Sequence, residues 1–168
     1  MSTGSVRMSL TPLECAQLRR LVDEFSELIG PDSTPEDPAV ARLTPSAYPD
    51  DSGAARDFRS ATRADLIARR ADDARIVNAA LSSTENCVTD NPAEWMPAAA
   101  LSEQELEIPA SDVDSWMRTL TAIRLVLATR IGIIEEQDHD PADVRFTLYD
   151  WLGYRLETLV QAADDQLD

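Results

Sequence analysis

Three arginines stand where helical periodicity calls for apolar side chains, and they are the residues of this chain best equipped for chemistry. Arg124 and Arg130 flank the apolar arc of the stretch 111–133, and Arg155 falls near the middle of the arc of 140–163, beside Trp151, Leu152 and Leu159. An isolated buried charge is costly, so each guanidinium has to be paired, hydrogen-bonded or open to a cleft. Glu14, on the apolar side of the first helix, and Asp73, on that of the helix 62–81, are available carboxylates. Two readings stay open: a set of interhelical ion pairs, or an arginine-lined pocket between helices that grips an anion or carboxylate bidentately.

A second constellation is Asp138-His139-Asp140 with Asp143 and Glu135-Glu136. One histidine among loop carboxylates lacks metal-ligand spacing, and Asp140 is already needed as a helix cap, so a solvated loop is the better reading and no metal or cofactor is expected. A third is the segment from Arg42 to Thr62, where Tyr48 sits on a proline-stiffened loop near Arg42, Asp51, Phe58 and Arg59. Rigid aromatics mixed with polar groups are what binding patches offer, although Tyr48 and Phe58 could equally pin the loop to the body of the protein. HExxH, GxSxG, paired CxxC, P-loop and GxGxxG patterns are all missing, so no catalytic template is matched.

Composition narrows the field. The chain has 168 residues, enough for one domain with a real core, and its 15 cations against 31 Asp and Glu give a formal charge of −16. That field repels phosphate backbones and disfavours nucleic-acid binding. Every cation is arginine, so lysine chemistry is excluded and only planar, bidentate cations remain. Cys15 and Cys87 are far apart, and no secretory signal pattern opens the chain, which points to a cytoplasmic protein with two free thiols as the default. The apolar run 120–134 is too short for a bilayer and contains Arg124 and Arg130, so no membrane span is expected.

The elements that must position these residues are helices. Thr11-Pro12-Leu13-Glu14 is a capping box with proline at N1, opening a helix to about Ile29 that ends at Gly30-Pro31. Residues 31–61 are proline-rich, with one short helix after Asp37-Pro38 and another over 54–60. Thr62 is read as the cap of a helix to Leu81, and Ser111 as the cap of a central helix ending at Gly132. That central helix carries Val113, Trp116, Leu120, Ile123, Leu127 and Ile131 on one arc. Asp140-Pro141 opens a last helix to about residue 163, with Val144, Leu148, Trp151, Leu152, Leu156 and Leu159 on one face. Residues 82–110 read as a long connection in which Leu106 to Ile108 can form a short strand against Val6 to Met8. The expected fold is an all-α, single-domain bundle of four long and two short helices with a proline-rich connection.

Three strings carry a family resemblance: Ala41-Arg42-Leu43-Thr44-Pro45-Ser46-Ala47-Tyr48 with Asp51, then Phe58-Arg59 with Thr62 and Leu66, and Arg124-Leu125 to Gly132-Ile133 with Tyr149-Asp150-Trp151-Leu152-Gly153. In order, and over nearly the whole chain, they resemble an uncharacterised actinobacterial family of all-helical cytosolic proteins, a domain of unknown function whose genes tend to lie near that of the Clp protease adaptor. Residues 82–110 depart from it. The resemblance implies the fold but no activity. Without a nucleophile–base or metal constellation, the expected role is a non-enzymatic protein-interaction or regulatory one, with a protein partner and a partner surface centred on Tyr48 and Phe58. A homodimer is compatible with this, and the alternative is an enzyme or small-molecule binder using the arginine pocket.

Overall fold

Thr11 opens the first helix in the way its sequence dictates. Its hydroxyl accepts from the Glu14 amide at 3.2 Å, and the Glu14 carboxylate accepts from the Thr11 amide at 2.9 Å, closing a complete capping box. The computed structural model describes residues 4–45, 53–84 and 101–166, without the side chains of 54–56, 58, 59 and 136. Over these residues the order is β1 (Ser5–Leu10), α1 (Pro12–Leu28), α2 (Pro38–Leu43), α3 (Gly53–Ser83), β2 (Gln104–Pro109), α4 (Val113–Ile131) and α5 (Thr147–Asp164), with 3-10 turns at Glu136–Asp138 and Val144–Phe146.

The chain is mostly helical, but it is not all-α. β1 and β2 pair antiparallel with Val6 opposite Ile108 and Met8 opposite Leu106, the pairing the sequence allowed. Period-2 alternation explains the ribbon: Val6, Met8 and Leu10 turn inward with Leu106 and Ile108, while Arg7, Glu105 and Glu107 face water. Two strands alone are marginal in water, and this pair is stabilised by laying its apolar face on the helices.

α4 is the centre of the core. Trp116 and Leu120 are fully buried, Val113 and Ile123 nearly so, and they meet Leu18 and Val22 of α1, Val77 and Leu81 of α3, and Leu152 and Leu159 of α5. Truncating any of these large side chains to alanine would cost about 2–5 kcal/mol. α4 ends at Gly132, whose φ of 81° is the left-handed conformation expected of a C-terminal glycine. α2 is capped by Asp37, whose carboxylate accepts from the Ala39 amide at 2.8 Å.

Several boundaries differ from expectation, each for a local reason. The short helix 54–60 and the helix from Thr62 are one 31-residue helix, α3, because no proline or glycine interrupts the chain between Gly53 and Ser83; Thr62 is an exposed interior residue. Among the described residues α2 is therefore the one free-standing short α-helix, not one of two. Ser111 spends its hydroxyl on Asp112, and α4 begins after Asp112 without a side-chain cap. Asp140 and Asp143 make successive local turns, accepting from the amides of Ala142 and Arg145, so the last α-helix opens only at Thr147. This places Phe146 in the core and leaves Val144 83% exposed, off the face it was assigned to. Cys15 is buried and disulfide-bonded, which replaces the expectation of two free thiols; Cys87, the other cysteine in the sequence, lies outside the described residues.

Candidate functional site

The arginines do not converge on one pocket. Arg155 reaches from α5 to the start of α1, where its Nη2 pairs with Glu14 and its Nη1 donates to the Ser9 carbonyl at 2.9 Å. The same Glu14 oxygen accepts from Trp151 Nε1 at 2.8 Å. Burial pushes the Glu14 carboxyl up, but the Thr11 amide, the Trp151 indole and the Arg155 guanidinium outweigh it and lower the pKa to about 2. This node is an interhelical joint with its acceptors filled from inside the protein.

Arg130, in the last turn of α4, donates to Asp37 Oδ2 at 2.6 Å. That hydrogen bond leads the causes that hold Asp37 below the usual carboxylate range, so one aspartate both caps α2 and ties it to α4. Arg42 reinforces the same junction, donating to the Ile133 carbonyl at 2.9 Å and to Thr129 Oγ1 at 3.3 Å. From the α3 side, Arg70 donates to the Leu43 carbonyl at 3.0 Å and Arg63 to the Pro35 carbonyl at 2.9 Å. Arginine side chains thus take up carbonyls that short α2 and its flanking loop leave unpaired.

Arg124 is different. Its Cζ lies 4.2 Å from the centroid of the Tyr149 ring, a cation–π contact, while its Nε, like those of Arg70 and Arg155, is sealed from solvent without an acceptor. Among the described residues it has no ion-pair partner. Beside it His139 Nε2 lies 2.6 Å from Asp150 Oδ1, and the His139 ring packs at 5.2 Å from Phe146 and 5.9 Å from Tyr149. His139 is therefore part of a packed cluster and not of a solvated loop. Spacing could not have shown this, since the two partners belong to a connection and to a helix. The acidic neighbours are occupied by the backbone: Asp138 accepts from the Ile134 and Glu135 amides, and Asp143 from Arg145. Among the described residues no three His, Cys, Asp or Glu side chains are grouped to hold a metal ion.

The least partnered surface is the first half of α3. Among its described side chains none is fully buried before Ala74, and Asp57, Ser60, Thr62, Asp65 and Arg69 are exposed. Residues 53–70 hold five arginines and two aspartates, a local +3 in a chain of net −16. Where this stretch meets α4, an open groove of about 670 Å³ forms, with Leu66 and Met117 as apolar walls and Arg69, Arg70 and Arg118 among its lining residues. Asp72 and Asp73 line it as well, and Asp73 is ion-paired with Arg118. Burial raises its pKa, but hydrogen bonds from Arg118, at 2.9 and 3.2 Å, and from Ser115 hold it lower. Arg70 is shifted down by burial, against the opposing pull of Asp73. Phe58 and Arg59 belong to this same helix, whereas Tyr48 and Asp51 lie outside the described residues.

No described helix is long and apolar enough to cross a membrane. The fold and its surfaces define a mostly helical domain with a small antiparallel ribbon and arginine-braced helix junctions. The chain belongs to the family described as Domain of unknown function (DUF2017), whose model matches residues 1–163. No curated protein and no solved structure matches it.

Proposed function

We propose that this is a non-enzymatic cytosolic interaction protein that docks an acidic, amphipathic segment of a partner protein along α3. One observation carries the reading: α3 runs for 31 residues, yet its first half carries no fully buried side chain among those described and concentrates positive charge in a strongly acidic chain. The first half of α3 draws little stability from packing of its own, and helices in water depend mostly on an amphipathic face being covered. The groove beside α4 supplies apolar walls for a helix-in-groove contact, and the arginines supply its sign. Phe58 and Arg59 belong to this same helix.

Charge reversal tests this. Arg69 is exposed and lines the groove, so Arg69→Glu should leave the melting temperature unchanged while lowering the association rate for the partner and flattening its salt dependence. A partner recovered equally by wild type and Arg69→Glu, with the same salt dependence, would remove α3 from the contact.

A further inference from the structure

On α5, Asp150, Gly153, Tyr154 and Glu157 recur at i, i+3, i+4 and i+7 and so share one helix face. Arg124 of α4 lies across the middle of that face. A β-carbon built at Gly153 would stand 3.1 Å from both Cζ and Nε of Arg124, so the guanidinium rests against the α5 backbone where a larger residue would intrude. Together these residues and Leu156 line an open cleft of about 450 Å³.

The charges in this cleft are incompletely matched. Arg124 carries a planar fork of donors, and among the described residues it meets the Tyr149 ring but no carboxylate. Asp150 is engaged by His139. Glu157, one turn beyond Gly153, is exposed and without an ion-pair partner among the described residues. A phosphate or dicarboxylate would meet Arg124 but would also face Asp150 and Glu157, and like charges in contact are unfavourable. A ligand bearing one carboxylate and one ammonium satisfies both signs. Arg124 and Glu157 both line the cleft, so one ligand carrying both charges can present its carboxylate to the first and its ammonium to the second. Tyr154, 57% exposed and with the Arg155 guanidinium 5.3 Å from its ring centroid, and Leu156 give the cleft an apolar side.

We infer that the Arg124–Glu157 cleft binds a zwitterionic α-amino acid with a small aliphatic side chain, its carboxylate on Arg124 and its ammonium on Glu157. The site is separate from the α3 surface and does not depend on the docking reading.

The test uses the full chain and three probes: L-valine, 3-methylbutanoate, which lacks the ammonium, and isobutylamine, which lacks the carboxylate. Isothermal titration calorimetry should show valine binding at least about tenfold more tightly than either, the effect of losing one charge-assisted contact. Glu157 is exposed, so Glu157→Gln should keep the wild-type melting temperature and bring the valine to 3-methylbutanoate affinity ratio close to one. Arg124→Gln should abolish binding of both carboxylates. Equal affinity of the wild type for valine and 3-methylbutanoate would overturn the zwitterion assignment, as would a preference for valine that survives Glu157→Gln. Absence of valine binding at millimolar concentration would overturn the site itself.

Discussion

Arg155 and Glu14, 141 residues apart in sequence, form an ion pair that joins the last helix to the first turn of α1. Glu14 also completes the capping box of that turn and accepts from Trp151, so one carboxylate serves a local and a long-range contact at once.

This double role makes stability depend on pH in a defined window. The folded-state pKa of Glu14 is depressed from 4.5 to about 2, so its contribution is fully present above about pH 4.5 and is lost as the pH falls toward 2. Glu14→Gln should cost on the order of 2 kcal/mol at neutral pH, allowing for its 24% side-chain exposure. In urea titrations, the stability gap between wild type and variant should shrink steadily between pH 5 and about pH 2.5. A gap that stays constant with pH would mean that the carboxylate charge is not what holds the joint.

Two glycines should respond to alanine for different reasons. Gly132 has a positive φ with open space around it, so Gly132→Ala should cost about 1 kcal/mol through backbone strain alone. Gly153 lies inside α5, where alanine normally gains up to about 1 kcal/mol, but here the new methyl meets Arg124. The gain should therefore be withheld in wild type and recovered in an Arg124→Ala background. A double-mutant cycle with no coupling would show that Arg124 does not rest on Gly153.

Thr119 is 2% exposed, and its hydroxyl finds no hydrogen-bond partner. Thr119→Val keeps the shape and removes the unsatisfied group, so it should stabilise by about 1 kcal/mol and raise the melting temperature by roughly 2–4 °C. A loss of stability would reveal that the hydroxyl is satisfied in solution.

How much of this was legible in the sequence follows from how local each cause is. The Thr11–Glu14 box, the Asp37-Pro38 start of α2 and the Gly132 stop are set by neighbours within a few residues, and the structure has all three. The core positions Trp116, Leu120, Val77, Leu81, Leu152 and Leu159 followed from periodicity. Thr62, Ser111 and Asp140-Pro141 misled because a capping residue is a permissive signal: an uninterrupted helix runs through the first, and a competing turn uses each of the others. The partition of the arginines was not legible. Whether Arg155 meets Glu14 and Arg130 meets Asp37, while Arg124 meets Tyr149, depends on how helices far apart in sequence pack.

The docking surface is tested most directly by site-specific photo-crosslinking in cells. Thr121 is exposed and lines the α3–α4 groove, while Arg20 is exposed on α1, so a photoreactive amino acid at each position compares the groove with a control site. The account expects one discrete adduct from position 121, none from position 20, loss of that adduct in an Arg69→Glu background, and a crosslinked partner peptide with net negative charge. An adduct at the mass of two copies of this chain would assign the groove to self-association. That result, a basic partner peptide, or the same adducts from both positions would contradict it.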